Sequence, residues 1–96
     1  MAEVLTAEAV RDELGGLVGW SGDPAGITRT VELVSFRDAI AVVDRVAATA
    51  EELDHHPDID IRWRTVTFRC VTHSVGGVTI RDIRLARRID EIVESA

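Results

Sequence analysis

The chain has 96 residues, 46% of them hydrophobic, with a formal net charge of −6 and a pI near 4.9. A chain this short suits one compact domain, residues 1–96, that buries about two thirds of its unfolded surface in a single core. The acidic balance argues against a nucleic-acid partner, which needs a basic patch to displace counterions from phosphates, and a single cysteine, Cys70, excludes an intrachain disulfide or a multi-cysteine metal site.

The first element is a helix with Thr6 as N-cap, Glu8 near its positive end, and Val10, Leu14 and Leu17 recurring at i, i+4 and i+7 as far as about Val18. "MAEVLTAEAVRDEL" has acidic residues where a secretory signal needs a basic region and an apolar run. No apolar stretch approaches the ~20 residues that span a bilayer, so the expected location is cytoplasmic. "GGLVGWSGDPAG" breaks the helix and turns at Asp23-Pro24. "GITRTVELV" then alternates Ile27, Val31 and Leu33 against Thr28, Thr30 and Glu32, the pattern of a half-buried strand, and a hairpin with a short strand near Trp20 follows.

Ser35 opens the clearest helix, because "SFRD" is a capping box in which the serine hydroxyl and the Asp38 carboxylate satisfy orphaned amides. Phe36, Ile40, Val43 and Ala47 make one apolar stripe, which Ala39, Val42, Val46 and Ala50 widen. A face this broad predicts burial on two sides, against the chain's own sheet and against a second copy, hence a homodimer or homotetramer.

Beyond Pro57, Ile59, Ile61 and Trp63 share one parity, while Val66, Phe68 and Cys70 take the other. A tight turn or bulge around Arg64-Thr65 must separate them, and Cys70 reads as a small buried core residue. After "THSVGG", "TIRD" is a second capping box, opening a last helix from Thr79 to about Glu94 that turns Ile83, Ala86, Ile89 and Val93 inward. The whole is an α+β domain of order α-β-β-α-β-β-α, a four-stranded antiparallel sheet with three helices packed on one face.

Two of the three histidines, His55 and His56, stand side by side at the end of the second helix, in "EELDHHPDIDIRW". Pro57 keeps His56 out of the α region, so the helix ends near the pair and the two rings diverge. Glu51 lies four residues before His55, within helical side-chain reach, and His73 follows the fourth strand, so all three histidines can converge on one rim. Imidazoles exchange protons near neutral pH, and a bonded carboxylate fixes a tautomer. No activated nucleophile, phosphate-binding loop or dinucleotide fingerprint accompanies them. Proton transfer without covalent catalysis is the implied chemistry. Geometry also permits a three-histidine zinc centre, although adjacent histidines are awkward co-ligands.

Glu51, His55-His56-Pro57, the aromatic Trp63, His73 and Asp82 fall in a register that resembles the signature of the pterin-4a-carbinolamine dehydratases, and the likeness extends over nearly the whole chain, including Trp20 and "THSVGGVTIRDIRLA". The resemblance implies elimination of water from the 4a-hydroxytetrahydrobiopterin left by aromatic amino-acid hydroxylases, giving quinonoid dihydropterin with no metal and no bound cofactor. It implies that His55 and His73 transfer protons, that Glu51 orients His55, and that His56 binds the pterin with Trp63 and Asp82. Capping the last helix is also a sufficient structural role for Asp82, core packing is as good an account of Trp63, and which of His55 and His73 is the acid stays open. Ile59, where many relatives carry an aromatic, and "AVVD", where many carry a second phenylalanine, depart from the pattern. The alternative on the same fold is a non-catalytic oligomeric interaction module.

Overall fold

The computed structural model describes residues 2–96. In chain order they form α1 (Ala7–Leu14), β1 (Trp20–Asp23), β2 (Gly26–Glu32), α2 (Phe36–Leu53), β3 (Asp58–Arg62), β4 (Thr65–Cys70), a 3-10 turn (His73–Val75) and α3 (Ile80–Glu94). The strands pair antiparallel in the order β1-β2-β4-β3, so the sheet and the three helices have the expected α+β order.

Strand alternation decides which face is covered. Ile27 and Val31 of β2 stand opposite Cys70 and Val66 of β4, and all four are buried, as is Phe68. The intervening Thr28, Thr30, Thr67 and Arg69 form the open face, where the Thr30 and Thr67 hydroxyls bond at 2.9 Å. Against the covered face pack Val10 of α1, Ala39, Val42 and Val46 of α2, and Ile83, Leu85, Ala86 and Ile89 of α3. Arg29 has the core-facing parity but is not left as an unpaired charge. Asp90 of α3 accepts from it at 2.5 Å and from the Trp20 indole at 2.7 Å, tying α3 to β1 and β2.

Several boundaries differ from the sequence reading. α1 stops at Leu14 because the Gly15-Gly16 pair favours turning over helix, yet Leu17 still folds into the core. The turn of the β3–β4 hairpin is Trp63-Arg64, one residue early, with Arg62 opposite Thr65. That hairpin puts Ile59 opposite Phe68 and Ile61 opposite Val66, so the two parities meet on one face. Trp63 takes φ 54° and is 71% exposed beneath the Arg64 guanidinium, not packed in the core.

On α2 the stripe Ala39, Val42, Val46 and Ala50 is the buried one. Phe36 and Ala47 are exposed, while Ile40 and Val43 are half-buried. Of the two capping boxes, the one at Thr79 closes in both directions, whereas at Ser35 only the serine oxygen accepts, from the Asp38 amide at 3.0 Å. None of the helices is long and apolar enough to cross a membrane, among the described residues.

Candidate active site

How α2 ends determines how its histidines are used. Asp54 adopts the left-handed conformation (φ 50°, ψ 45°), its amide donating to the Glu51 carbonyl and the His55 amide to the Ala50 carbonyl at 3.0 Å. This is a Schellman closure with an aspartate where glycine is usual. The chain therefore turns before His55, which leaves the helical face that an i, i+4 spacing assumes. Two consequences correct the sequence expectation. Glu51 does not orient His55; its carboxylate bonds Nε2 of His56 instead, both side chains being well exposed. His55 turns inward and is held by Asp82.

Asp82, fully buried, is the centre of the arrangement. Its Oδ1 lies 2.5 Å from Nε2 of His55, whose side chain is 10% exposed. Its Oδ2 accepts from the Thr79 amide and from the Thr72 hydroxyl, each at 2.8 Å. The capping box of α3 and the orientation of His55 are thus two uses of one carboxylate, supplied by its two oxygens. Thr79 was expected only as the cap of α3, and Thr72 was not singled out from the sequence; the alternation of "TVTFRCVT" covers Thr72 but gives no sign that its hydroxyl faces a carboxylate ten residues on.

His73 begins the 3-10 turn after β4 and is 71% exposed, with Nε2 3.9 Å from Asp58 at the start of β3, too far for a hydrogen bond. With Asp54, His55, His56, Val71, Thr72, Ser74 and Arg81 it lines an open cleft of about 210 Å³. Arg81 closes one side, donating at 2.6 Å to the Asp54 carbonyl just ahead of the histidine pair. The three histidines do converge, as the sequence suggested. Trp63 does not join them within one protomer: it lies beyond the far end of β3, about 16 Å from Asp58 at ~3.3 Å per strand residue.

Cys70 is buried on the core face, and burial, with the carboxylates of Asp82, Asp58 and Asp90, raises its pKa far above the ordinary thiol range. It is a neutral packing group, not a nucleophile. Among the described residues no three His, Cys, Asp or Glu side chains are placed to share a metal ion. A larger hollow of about 350 Å³ between α2 and α3 carries Arg45, Thr49, Arg88 and Glu91, but Arg88 is already engaged by Glu52 at 3.1 Å and no histidine reaches it. The three histidines line the smaller cleft.

A buried carboxylate that fixes one imidazole, with two further imidazoles at the same rim, is an arrangement able to move protons at neutral pH. It defines a small α+β protein with a histidine-lined cleft. The family profile described as "Pterin 4 alpha carbinolamine dehydratase" matches residues 3–92. A provisionally named pterin-4-alpha-carbinolamine dehydratase of Nocardia farcinica is 57% identical over 90 residues, covering 94% of this chain and 95% of the relative. A protein given the same provisional name, from Mycobacterium sp. (strain KMS), is 53% identical over 95% of this chain and 97% of its own. Among solved structures, a transcriptional coactivator/pterin dehydratase from Brucella melitensis superposes with TM-score 0.90 at 34% identity, covering 94% of this chain and 98% of that one. A pterin dehydratase-like RuBisCO assembly factor of the alpha-carboxysome shares the fold, with TM-score 0.65 at 23% identity over 80% of this chain and 89% of its own. The chain belongs to the pterin-4a-carbinolamine dehydratase family.

Proposed function

We propose that the protein eliminates water from 4a-hydroxytetrahydrobiopterin to give quinonoid dihydropterin, recycling the cofactor of an aromatic amino-acid hydroxylase. In the step, the C4a–O bond breaks and the hydroxyl leaves as water with a proton from one imidazole. A second imidazole takes the N5 proton as the C4a–N5 double bond forms. His55 and His73 are the transferring pair. His56, steadied by Glu51, binds and orients the pterin, and Asp82 acts through His55. Trp63 is left out of the substrate contacts of the protomer that holds the histidines. The observation that carries this reading is the 2.5 Å bond between buried Asp82 and His55 at the mouth of a three-histidine cleft. A structural histidine needs no such cleft, and a surface histidine has no such carboxylate.

The reaction needs no electron source or sink, so proton transfer supplies it in full. The test follows dehydration of enzymatically generated 4a-hydroxytetrahydropterin by absorbance. His55→Ala and His73→Ala are each expected to lower kcat on the order of 10²-fold or more, the range of a lost proton-transfer group, with His56→Ala acting mainly on KM. Wild-type rates retained by both alanine variants would refute the assignment.

A second reading, an oligomeric interaction module, is favoured by the exposed Phe36 and half-exposed Ile40 and Val43 on α2. It is also consistent with the coactivator and assembly-factor descriptions of the two structural neighbours. A second copy of this chain is the occupant that the sequence reading assigns to that stripe. Both readings hold together if the oligomer is the active form, and a folded, oligomeric wild type that does not accelerate dehydration would leave only the second.

A further inference from the structure

The open face of the sheet carries two charges of opposite sign that do not meet. Asp58 and Arg69 stand directly opposite each other on β3 and β4, and Thr28 faces Arg69 from β2. Arg69 is nevertheless turned away from Asp58, because its Nη2 donates to the Ala25 carbonyl at 3.1 Å. Its guanidinium rests on Gly26, where a Cβ would lie 2.5 Å from the guanidinium carbon, so only glycine leaves that seat free. The seated group keeps most of its N–H donors for a further acceptor. Of the nearby carboxylates, Asp60 is taken by Arg62 at 3.3 Å, and Asp58 has only His73 near it, at 3.9 Å. Neither pairs with Arg69. These side chains, with Ile59 and Thr67, line a hollow of about 270 Å³ whose exposed lining is mainly carbon. The hollow shares no lining residue with the histidine cleft.

The unmet charges decide what the hollow accepts. A metal ion is repelled by the arginine between Asp58 and Thr28, and a phosphate or other dianion by the two aspartates. A zwitterion satisfies both signs at once, since a carboxylate fits the planar donor fork of a guanidinium and an ammonium fits Asp58. A volume below the roughly 300–1,000 Å³ usual for small-ligand sites limits the guest to a small molecule. We propose that this hollow binds a free α-amino acid with an apolar side chain, its carboxylate on Arg69, its ammonium on Asp58 and its side chain against the carbon lining. The hollow between α2 and α3 offers no such open pair, because its Arg88 is already engaged by Glu52 at 3.1 Å. The site is independent of the dehydratase reading and draws on none of the three histidines.

The test is a titration of 15N-labelled protein with L-phenylalanine, L-leucine, phenethylamine and hydrocinnamate, followed in 1H–15N correlation spectra. Phenethylamine lacks the carboxylate and hydrocinnamate lacks the ammonium. Saturation with either amino acid is expected, with shifts at the amides of Thr28, Asp58, Thr67 and Arg69. Each analogue should bind at least about tenfold more weakly than L-phenylalanine, the share of one charge-assisted contact. Arg69→Gln and Asp58→Asn should each weaken amino-acid binding by about tenfold or more for the same reason. Gly26→Ala keeps the charge but displaces the guanidinium from its seat, and should weaken binding too. No saturation with either amino acid by about 10 mM, a weak limit for a small ligand, overturns the proposal. So do shifts confined to the histidine cleft, analogues that bind as well as the amino acids, or any of the three variants binding as tightly as wild type. The comparison of ligands on the wild type stands even where a variant does not fold. Because no turnover is measured, failure here leaves the dehydratase reading intact, and failure of that reading leaves this site intact.

Discussion

At the scale of single residues, the site is organised by which carboxylate each imidazole meets. His55 meets a buried one and His56 an exposed one, so the adjacent histidines are held in different surroundings even though their sequence context is shared. Cys70 illustrates the opposite outcome, a reactive side chain made inert by its surroundings. Its raised pKa has a definite thermodynamic sign. Above the ordinary thiol value of 9.0, the unfolded chain gives up the thiol proton while the folded chain keeps it, so the folded state binds more protons and stability falls as pH rises. Between pH 9 and 10 the wild type should lose about 1 kcal/mol that Cys70→Ala does not lose, measurable as a difference in urea midpoints at the two pH values. Equal losses in both proteins would show that the thiol titrates normally.

At the scale of elements, the end of α2 is the feature on which the site depends. A non-glycine residue in the left-handed region costs roughly 1 kcal/mol, and Asp54 bears that cost where it sets the direction of His55. Asp54→Gly keeps the carbonyl that Arg81 grips and is expected to stabilise the protein by about 0.5–1 kcal/mol, raising Tm by several degrees in calorimetry with dehydration unchanged. A lower Tm would mean that the aspartate side chain contributes more than its backbone strain costs. The neighbouring β3–β4 hairpin makes a similar trade at Trp63, which turns at positive φ and stays exposed.

At the scale of the whole molecule, one face of the sheet is covered by three helices and the other is open. The side of α2 carrying Phe36, Ile40 and Val43 is not fully covered by this chain. Sedimentation of wild type at micromolar concentration should give an oligomer, and Phe36→Asp, placed where the side chain is half exposed, should shift it toward monomer without changing the circular dichroism. A wild type that sediments as a monomer would end the oligomer reading. Coupling between Arg29, Asp90 and Trp20 gives α3 a fixed seat on β1 and β2, which in turn sets where its first turn, with Arg81 and Asp82, meets the end of α2.

Local rules carried far in this chain. Alternation set Ile27 and Val31 on the covered side of one strand and Val66, Phe68 and Cys70 on one side of another, the Thr79–Asp82 box started α3 at the right residue, and the family signature brought Glu51, His55, His56, His73 and Asp82 forward together. These features were legible because each depends on residues close in sequence or on a spaced pattern. Three others were decided only by the tertiary structure: the exchange of carboxylate partners, with Asp82 taking His55 and Glu51 taking His56; the place of Trp63 at the outer end of β3; and the choice of which α2 stripe faces the core. Each depends on a direction in space. A single left-handed residue at Asp54, a turn shifted by one position, and the angle at which a helix lies on its sheet redirect side chains without changing their spacing, and sequence periodicity alone does not record those rotations.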